Sequence, residues 1–250
     1  MKFYTVFMKV LLNMKLKLFL LTAAILIVFI SAKVYDRNSF VVYTIDAKKQ
    51  DLRLFWKNEN GEKFKSIQNL KDWIEKQNLI LDFAMNAGMY NKENSPQGLY
   101  IEKQKVLTAL DTTNDVGNFY LKPNGVFYIT TGNVPVICKT EQFQNNRKVK
   151  YATQSGPMLI IDGKIHPEFK EGSSNLNIRN GVGILPNGNV VFVLSKKEIN
   201  FYDFAAYFKS LGCRNALYLD GFVSRAYVPS EKWIQTDGNF GVLFAVVRKK

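Results

Sequence analysis

Apolar and β-branched residues recur along this chain in short runs, broken by Gly, Pro, Asn and Asp. Such punctuation predicts strands joined by turns rather than long helices. Residues 40–45 (Phe-Val-Val-Tyr-Thr-Ile) and 52–56 (Leu-Arg-Leu-Phe-Trp) open the pattern, and they are expected to pair across the polar turn at 46–51. Pro-Asn-Gly occurs twice, at 123–125 before the run 126–130 and at 186–188 before the run 190–194. Asp162-Gly163 separates 158–161 from 164–166 in the same way. Each of these turns predicts a hairpin. Residues 241–247 read as a last strand.

Two stretches change period. Ile67, Leu70, Trp73 and Ile74 fall at helical spacing within 66–77, with Ser66 as N-cap. Phe204, Ala205, Phe208 and Leu211 do the same within 202–211, and Gly212 is placed to end that helix. The sequence contains no low-complexity segment and no repeat. The expectation is an α+β fold: a single domain of mostly antiparallel or mixed β-sheet, with hairpins and two main helices, over residues 33–250.

The first 32 residues stand apart from this pattern. Lys9, Lys15 and Lys17 precede an uncharged, almost wholly apolar stretch at 18–32. That stretch is shorter than the ~18–20 residues that span a bilayer comfortably. Ser31 and Ala32 suit a cleavage site, although Ile30 fits it poorly. The reading is a signal peptide, with an uncleaved membrane anchor as the alternative and Met14 as another possible start. Either way the domain is expected outside the cytoplasmic membrane: periplasmic, extracellular or membrane-anchored.

The formal charge of +13 includes four lysines before residue 33 and no acid there, so residues 33–250 retain an excess of nine positive charges. This favours anionic partners such as phosphates, acidic glycans or a membrane surface. It does not imply nucleic acid, because the basic residues are scattered and no helix-turn-helix or aromatic–basic motif occurs. Cys138 and Cys213 are the only cysteines. In an exported protein they either form one disulfide or remain two buried thiols. No oligomeric state follows from the sequence.

Four glycine-bearing polar segments interrupt the strands. The first is Met85-Asn86-Ala87-Gly88-Met89-Tyr90, where the Asn86 amide both donates and accepts and so suits a substrate hydroxyl or phosphate oxygen, or else an Asx turn. The second, Gln97-Gly98-Leu99, permits a close backbone approach at Gly98 or is a plain turn. In the third, Ala152 to Met158, Ser155 and the Gly156 amide are placed to hold an oxyanion. Ser155 is a poor nucleophile candidate, because His166 is the sole histidine and Gly-x-Ser-x-Gly is absent. His166 itself, before Pro167, reads as a surface residue. The fourth is Asn177-Ile178-Arg179-Asn180-Gly181-Val182-Gly183, where Arg179 offers a planar fork for phosphate or a structural ion pair with Asp220.

The run Asn215 to Leu219 then delivers Asp220 to a strand end, followed by Gly221, Phe222, Val223, Ser224 and Arg225. A strand fixes an acid while the loop after it stays free to bind; a plain Asp-Gly turn is the simpler alternative. The lone histidine argues against zinc or di-iron. A hard cation on Asp and Asn oxygens remains an alternative without supporting spacing, and no cofactor is expected.

These segments, together with Lys122-Pro123-Asn124-Gly125-Val126-Phe127, occur in an order that resembles the phosphodiester glycosidase domain family, and its bacterial branch most. The resemblance covers about residues 83–225. It departs from the animal branch at Phe222 and Val223, where two glycines would stand, and at Asn180-Gly181, where that branch favours Thr-Ala. The resemblance implies a hydrolase that cleaves the glycosidic bond of a sugar-1-phosphodiester in an envelope or extracellular glycan. Asp220, Arg179 and Asn86 would be catalytic; Gly88, Tyr90, Gly98, Ser155, Gly156, Asn180, Gly221 and Ser224 would bind substrate. Asp111, Asp115 and Asp162 are candidates for a second carboxylate, each also a turn residue. The alternatives are a non-catalytic binder of anionic glycans and a phosphodiesterase that cleaves the P–O bond.

Overall fold

The computed structural model describes residues 37–220 and 223–250, together with Met14 and Lys15. The remainder of the expected signal, and with it the cleavage site, lies outside the described residues, as do Gly221 and Phe222. Among the described residues no helix is long and apolar enough to cross a membrane. Residues Asn38–Lys250 form one compact unit.

The chain runs β1 (Phe40–Ile45), β2 (Asp51–Phe55), α1 (Ile67–Lys76), β3 (Leu79–Asn86), β4 (Tyr100–Glu102) and β5 (Lys105–Thr108). It continues through β6 (Gly125–Thr130), β7 (Pro135–Lys139), β8 (Val149–Ser155), β9 (Met158–Ile161) and β10 (Lys164–Ile165). Last come β11 (Asn180–Ile184), β12 (Val190–Ser195), α2 (Phe201–Ser210), β13 (Ala216–Tyr218), β14 (Ala226–Val228), β15 (Trp233–Ile234) and β16 (Leu243–Lys249).

Three sheets result. Sheet I has the order β1-β12-β11-β13-β9-β10, sheet II β15-β14-β3-β16-β2, and sheet III β5-β4-β8-β6-β7. Every strand pairing among the described residues is antiparallel, which removes the mixed alternative. All three sheets turn one face into a common core, where Val182 and Phe192 of sheet I meet Phe83 and Phe244 of sheet II and Phe127 of sheet III. Phe192 and Phe244 lie 4.9 Å apart at their centroids, and Phe127 meets Phe244 edge-on at 5.2 Å. Strand alternation explains the arrangement: successive residues face opposite sides, so one side of each strand enters the core.

The outer faces are covered separately. α1 is capped as expected, with Ser66 Oγ accepting from Asn69 N, and lays Ile67, Leu70 and Ile74 onto the outer face of sheet II. α2 covers sheet I, where the Cβ positions of Gly181 and Gly183 would lie 3.1 and 2.9 Å from the Phe208 ring. Glycine there lets the helix approach the sheet. Gly212, at φ +80°, ends α2 as its position predicts.

Two expected hairpins form: β11–β12 around Pro186-Asn187-Gly188, and β9–β10 around Asp162-Gly163, both at positive φ. Two expectations fail. β1 and β2 do not pair; β1 joins β12 in sheet I, while β2 joins β16 in sheet II. Pro123-Asn124-Gly125 closes no hairpin, because its Asn124 is buried with Nδ2 donating to the Phe119 carbonyl, so the segment packs inward. Cys138 and Cys213 are both free thiols, and burial pushes them up to about 11 and about 12 respectively.

Candidate functional site

The ends of strands from sheets I and II meet at Asn86. It terminates β3 and is buried, with its amide fully surrounded by protein. Its Nδ2 donates to the Asp220 carbonyl at 2.6 Å, while its Oδ1 accepts from Asn180 Nδ2 and from the Arg225 backbone N–H, both at 3.0 Å. Asn180, the first residue of β11, also donates to the Asn86 carbonyl at 3.0 Å. Ser224 Oγ donates to Asn180 Oδ1 at 3.2 Å. Three segments that the sequence separates widely, around residues 86, 180 and 220–225, are thus clipped together by one asparagine pair. The Asn86 amide bonds the backbone on both sides of the Asp220 segment and the side chain of Asn180.

Asp220 follows β13 by two residues. Its backbone is held from both sides, with the N–H donating to the Ala87 carbonyl at 3.2 Å and the carbonyl accepting from Asn86. Leu219 N–H donates to the Asn180 carbonyl at 3.1 Å, which extends the β13–β11 contact up to the acid. Tyr90 feels the Asp220 charge. Its hydroxyl is pushed up to about 12, first by burial and then by that carboxylate. The same hydroxyl donates to the Asn239 carbonyl at 2.5 Å, which fixes the ring.

Arg179 is enclosed, at 1% exposure. Nε donates to the Ile199 carbonyl at 2.7 Å, Nη2 to the Asn175 carbonyl at 2.9 Å, and Nη1 to the Tyr218 hydroxyl at 3.2 Å. The guanidinium lies 3.6 Å over the Phe201 ring. Every one of these partners is neutral: two backbone carbonyls and a tyrosine hydroxyl. Desolvation accordingly lowers its pKa from the ordinary arginine value, against a smaller upward pull from Tyr218. Arg179 is thus a buried positive charge that anchors residues 175, 199 and 218.

The segments from sheet III lie alongside. Gly88 packs so tightly on β8 that an added Cβ would fall 2.3 Å from Thr153 Oγ1 and 2.4 Å from the Gln154 carbonyl. Gly98, at φ +72°, packs on the Gln154 side chain. Ser155 is fully buried at the end of β8, and its Oγ has no hydrogen-bond partner among the described residues. Gly156 fits against the Phe119 carbonyl and Asn124. Tyr218 N–H donates to the Pro157 carbonyl at 3.1 Å, which ties this segment to β13 below Asp220. Gln154 is a hub that the sequence reading missed: Oε1 accepts from Leu99 N and Asp111 N, and Nε2 donates to the Asp111 carbonyl at 2.6 Å.

Asp111 accepts from Thr113 and from the Tyr120 hydroxyl, Asp115 from Val116 N, and Asp162 sits exposed in the β9–β10 turn. Asp237 comes closer to the cluster through Arg225, whose Nε it accepts at 2.9 Å. The Arg225 side chain is 38% exposed, which makes it the accessible cation of the cluster. Its position two residues after Val223 gave the only signal. His166 is buried, not at the surface, and stacks on Phe169 at 4.8 Å. Among the described residues no group of three or more His, Cys, Asp or Glu is arranged to hold a metal ion.

The arrangement defines a class of protein before it defines a family: an antiparallel three-sheet scaffold whose strand ends present one acid beside fixed amides. That fold is shared with the zebrafish N-acetylglucosamine-1-phosphodiester alpha-N-acetylglucosaminidase catalytic domain auto-inhibited by its pro-peptide. The TM-score is 0.59 at 12% identity, over 83% of this chain and 81% of that one. A putative exported protein from Burkholderia pseudomallei matches at TM-score 0.56 and 11% identity, over 83% and 73% of the two chains. At such identities the likeness concerns the fold alone. The uncharacterized Escherichia coli protein YigE is 38% identical over 187 residues, which is 74% of this chain and 73% of YigE. The phosphodiester glycosidase family model matches residues 81–243. The chain belongs to the phosphodiester glycosidase family.

Proposed function

We propose that this protein hydrolyses the glycosidic bond of a sugar-1-phosphodiester in an envelope or extracellular glycan. Water adds to the anomeric carbon, the C–O bond to phosphate breaks, and free sugar and a phosphomonoester leave. The observation that carries this reading is the double clamp on the Asp220 backbone, by Ala87 and Asn86, at the junction of sheets I and II. It gives one carboxylate a rigid origin. Asp220 serves as the base toward water, or as the anion that stabilises the oxocarbenium-like carbon. A phosphomonoester bears its own negative charge well, with a second pKa near ~6, so strong acid help at the leaving oxygen is unnecessary.

Arg225 is the group best exposed to contact the phosphate, with Arg179 supplying a buried positive field behind it. Tyr90, Ser155, Gly156, Asn180, Gly221 and Ser224 are assigned to binding, while Gly88 and Gly98 let the backbones close up around the site. The zebrafish enzyme's own name describes a glycosidase acting on such a diester, and family membership supports the extension. The reaction is assigned to the outside of the cytoplasmic membrane, a reading supported by the apolar N-terminal sequence. No cofactor enters the reaction as written.

The test is turnover by the full chain on a panel of sugar-1-phosphodiesters, beginning with N-acetylglucosamine. Free sugar and phosphomonoester are expected as products. Asp220→Asn is expected to lower kcat by at least about 100-fold with an unchanged melting temperature. Sugar phosphate as the product would move the reaction to the P–O bond. Binding without any product across the panel would leave a glycan-binding protein.

A further inference from the structure

A second surface carries recognition chemistry of its own. Between β2, α1 and the β4–β5 hairpin lies a groove of about 380 Å³. Phe55, Trp56 and Trp73 line it, and Lys57, Lys103 and Lys105 stand around it. Lys103 and Lys105 are exposed on a hairpin whose outer strand, β5, is the free edge of sheet III.

The two acids of the groove are already engaged. Glu59 Oε2 accepts from Trp73 Nε1 at 2.9 Å, and Glu102 Oε2 accepts from the Tyr100 hydroxyl at 2.7 Å. Glu102 is also held toward its protonated form by burial. Three ammonium groups against these two acids, one of them held toward its neutral form, leave the groove with an excess of positive charge. Lys57 lies 3.9 Å over the Trp56 ring, which holds its ammonium against the aromatic wall.

The geometry points to a binding groove for an acidic glycan, with a pyranose ring against the tryptophan wall and its anionic substituents directed at Lys57, Lys103 and Lys105. Aromatic planes match the C–H face of a sugar, as they match other amphipathic rings, and the ammonium groups select charge. A neutral glycan would leave that excess of positive charge unmatched. An apolar peptide, added as a strand to the β5 edge, would bring none either. The groove is not isolated from the acid site. Trp56 Nε1 donates to the Asn94 carbonyl at 2.7 Å, and Asn94 Nδ2 donates at 3.2 Å to the same Asn239 carbonyl that holds Tyr90. The loop at residues 90–96 therefore links the groove's Trp56 to Tyr90. The inference stands without the proposed reaction, because binding is read independently of turnover.

The experiment titrates the full chain with hexagalacturonate, with maltohexaose phosphorylated at its primary hydroxyls, and with unmodified maltohexaose, following tryptophan fluorescence and binding heat. At least one acidic probe is expected to bind at least about ten-fold more tightly than the neutral one, a difference near 1.4 kcal/mol, and to weaken as salt rises. The carboxylate and phosphate arms identify which anion is preferred. Lys103→Glu with Lys105→Glu is expected to abolish that preference, and Trp73→Ala to abolish the fluorescence change. Trp73 packs edge-on against Phe55 and Phe64, so the lysine variant decides the matter if Trp73→Ala fails to fold. Equal binding of acidic and neutral probes, no saturable binding of any probe at millimolar concentration, or full affinity in the lysine variant would each overturn the inference.

Discussion

Asn86 and Arg225 contrast two ways in which a side chain serves a site. Asn86 is buried, and its loss would remove its hydrogen bonds to the Asp220 carbonyl, the Arg225 N–H and the Asn180 amide. Each unsatisfied buried group costs about 1–3 kcal/mol. Asn86→Ala is therefore expected to lower unfolding stability by about 2–4 kcal/mol, read as a reduced denaturant midpoint at constant slope. Arg225 is partly exposed, and its partner Asp237 is more so. Such a pair contributes about 0–1 kcal/mol, so Arg225→Ala should leave the midpoint nearly unchanged. If it contacts phosphate as proposed, KM should rise by about ten-fold or more. An unchanged KM would remove it from the binding surface.

Elements were far more legible in the sequence than their partners. The helical spacing of Ile67, Leu70 and Ile74 found α1 with its Ser66 cap, because both signals are local. The β11–β12 and β9–β10 hairpins were readable because Gly188 and Asp162-Gly163 announce positive φ. The β4–β5 hairpin was not, since Lys103 and Gln104 adopt positive φ without a glycine or asparagine to signal it. The choice between pairing β1 with β2 and sending them to different sheets depends on distant strands, so no local pattern records it. The site divided in the same way. Asp220 stood out at the end of an apolar run, whereas the clip through Asn180 and the hub at Gln154 arise only when three or four distant segments meet. Close packing at this scale is testable at Gly88. Gly88→Ala is expected to cost about 1–3 kcal/mol by overpacking against β8. Gly132→Ala, whose Cβ would have only Thr130 Oγ1 at 3.8 Å, should stay within about 0.5 kcal/mol.

For the whole molecule, one titration is built into the interior. Burial lowers the His166 pKa from 6.5, while the Lys122 carbonyl and Glu168 pull weakly the other way. The folded state therefore binds fewer protons than the unfolded one just below pH 6.5, and stability must fall as pH drops through that window. The check is the difference in stability between wild type and His166→Gln. It should decline on acidification below about pH 6.5 and stay level above it, and a flat difference would show that His166 titrates alike in both states.

The last strand, β16, lies at the heart of sheet II, where Val246 pairs with Leu52 on one side and Phe83 on the other. A ribosome or a secretion channel releases the chain from its N-terminus, so β2 and β3 emerge long before their common neighbour. Until residues 243–249 arrive, both strands present unpaired edges, and the core beneath Phe244 stays open. Closure of sheet II is thus timed by β16, the strand that bridges β2 and β3.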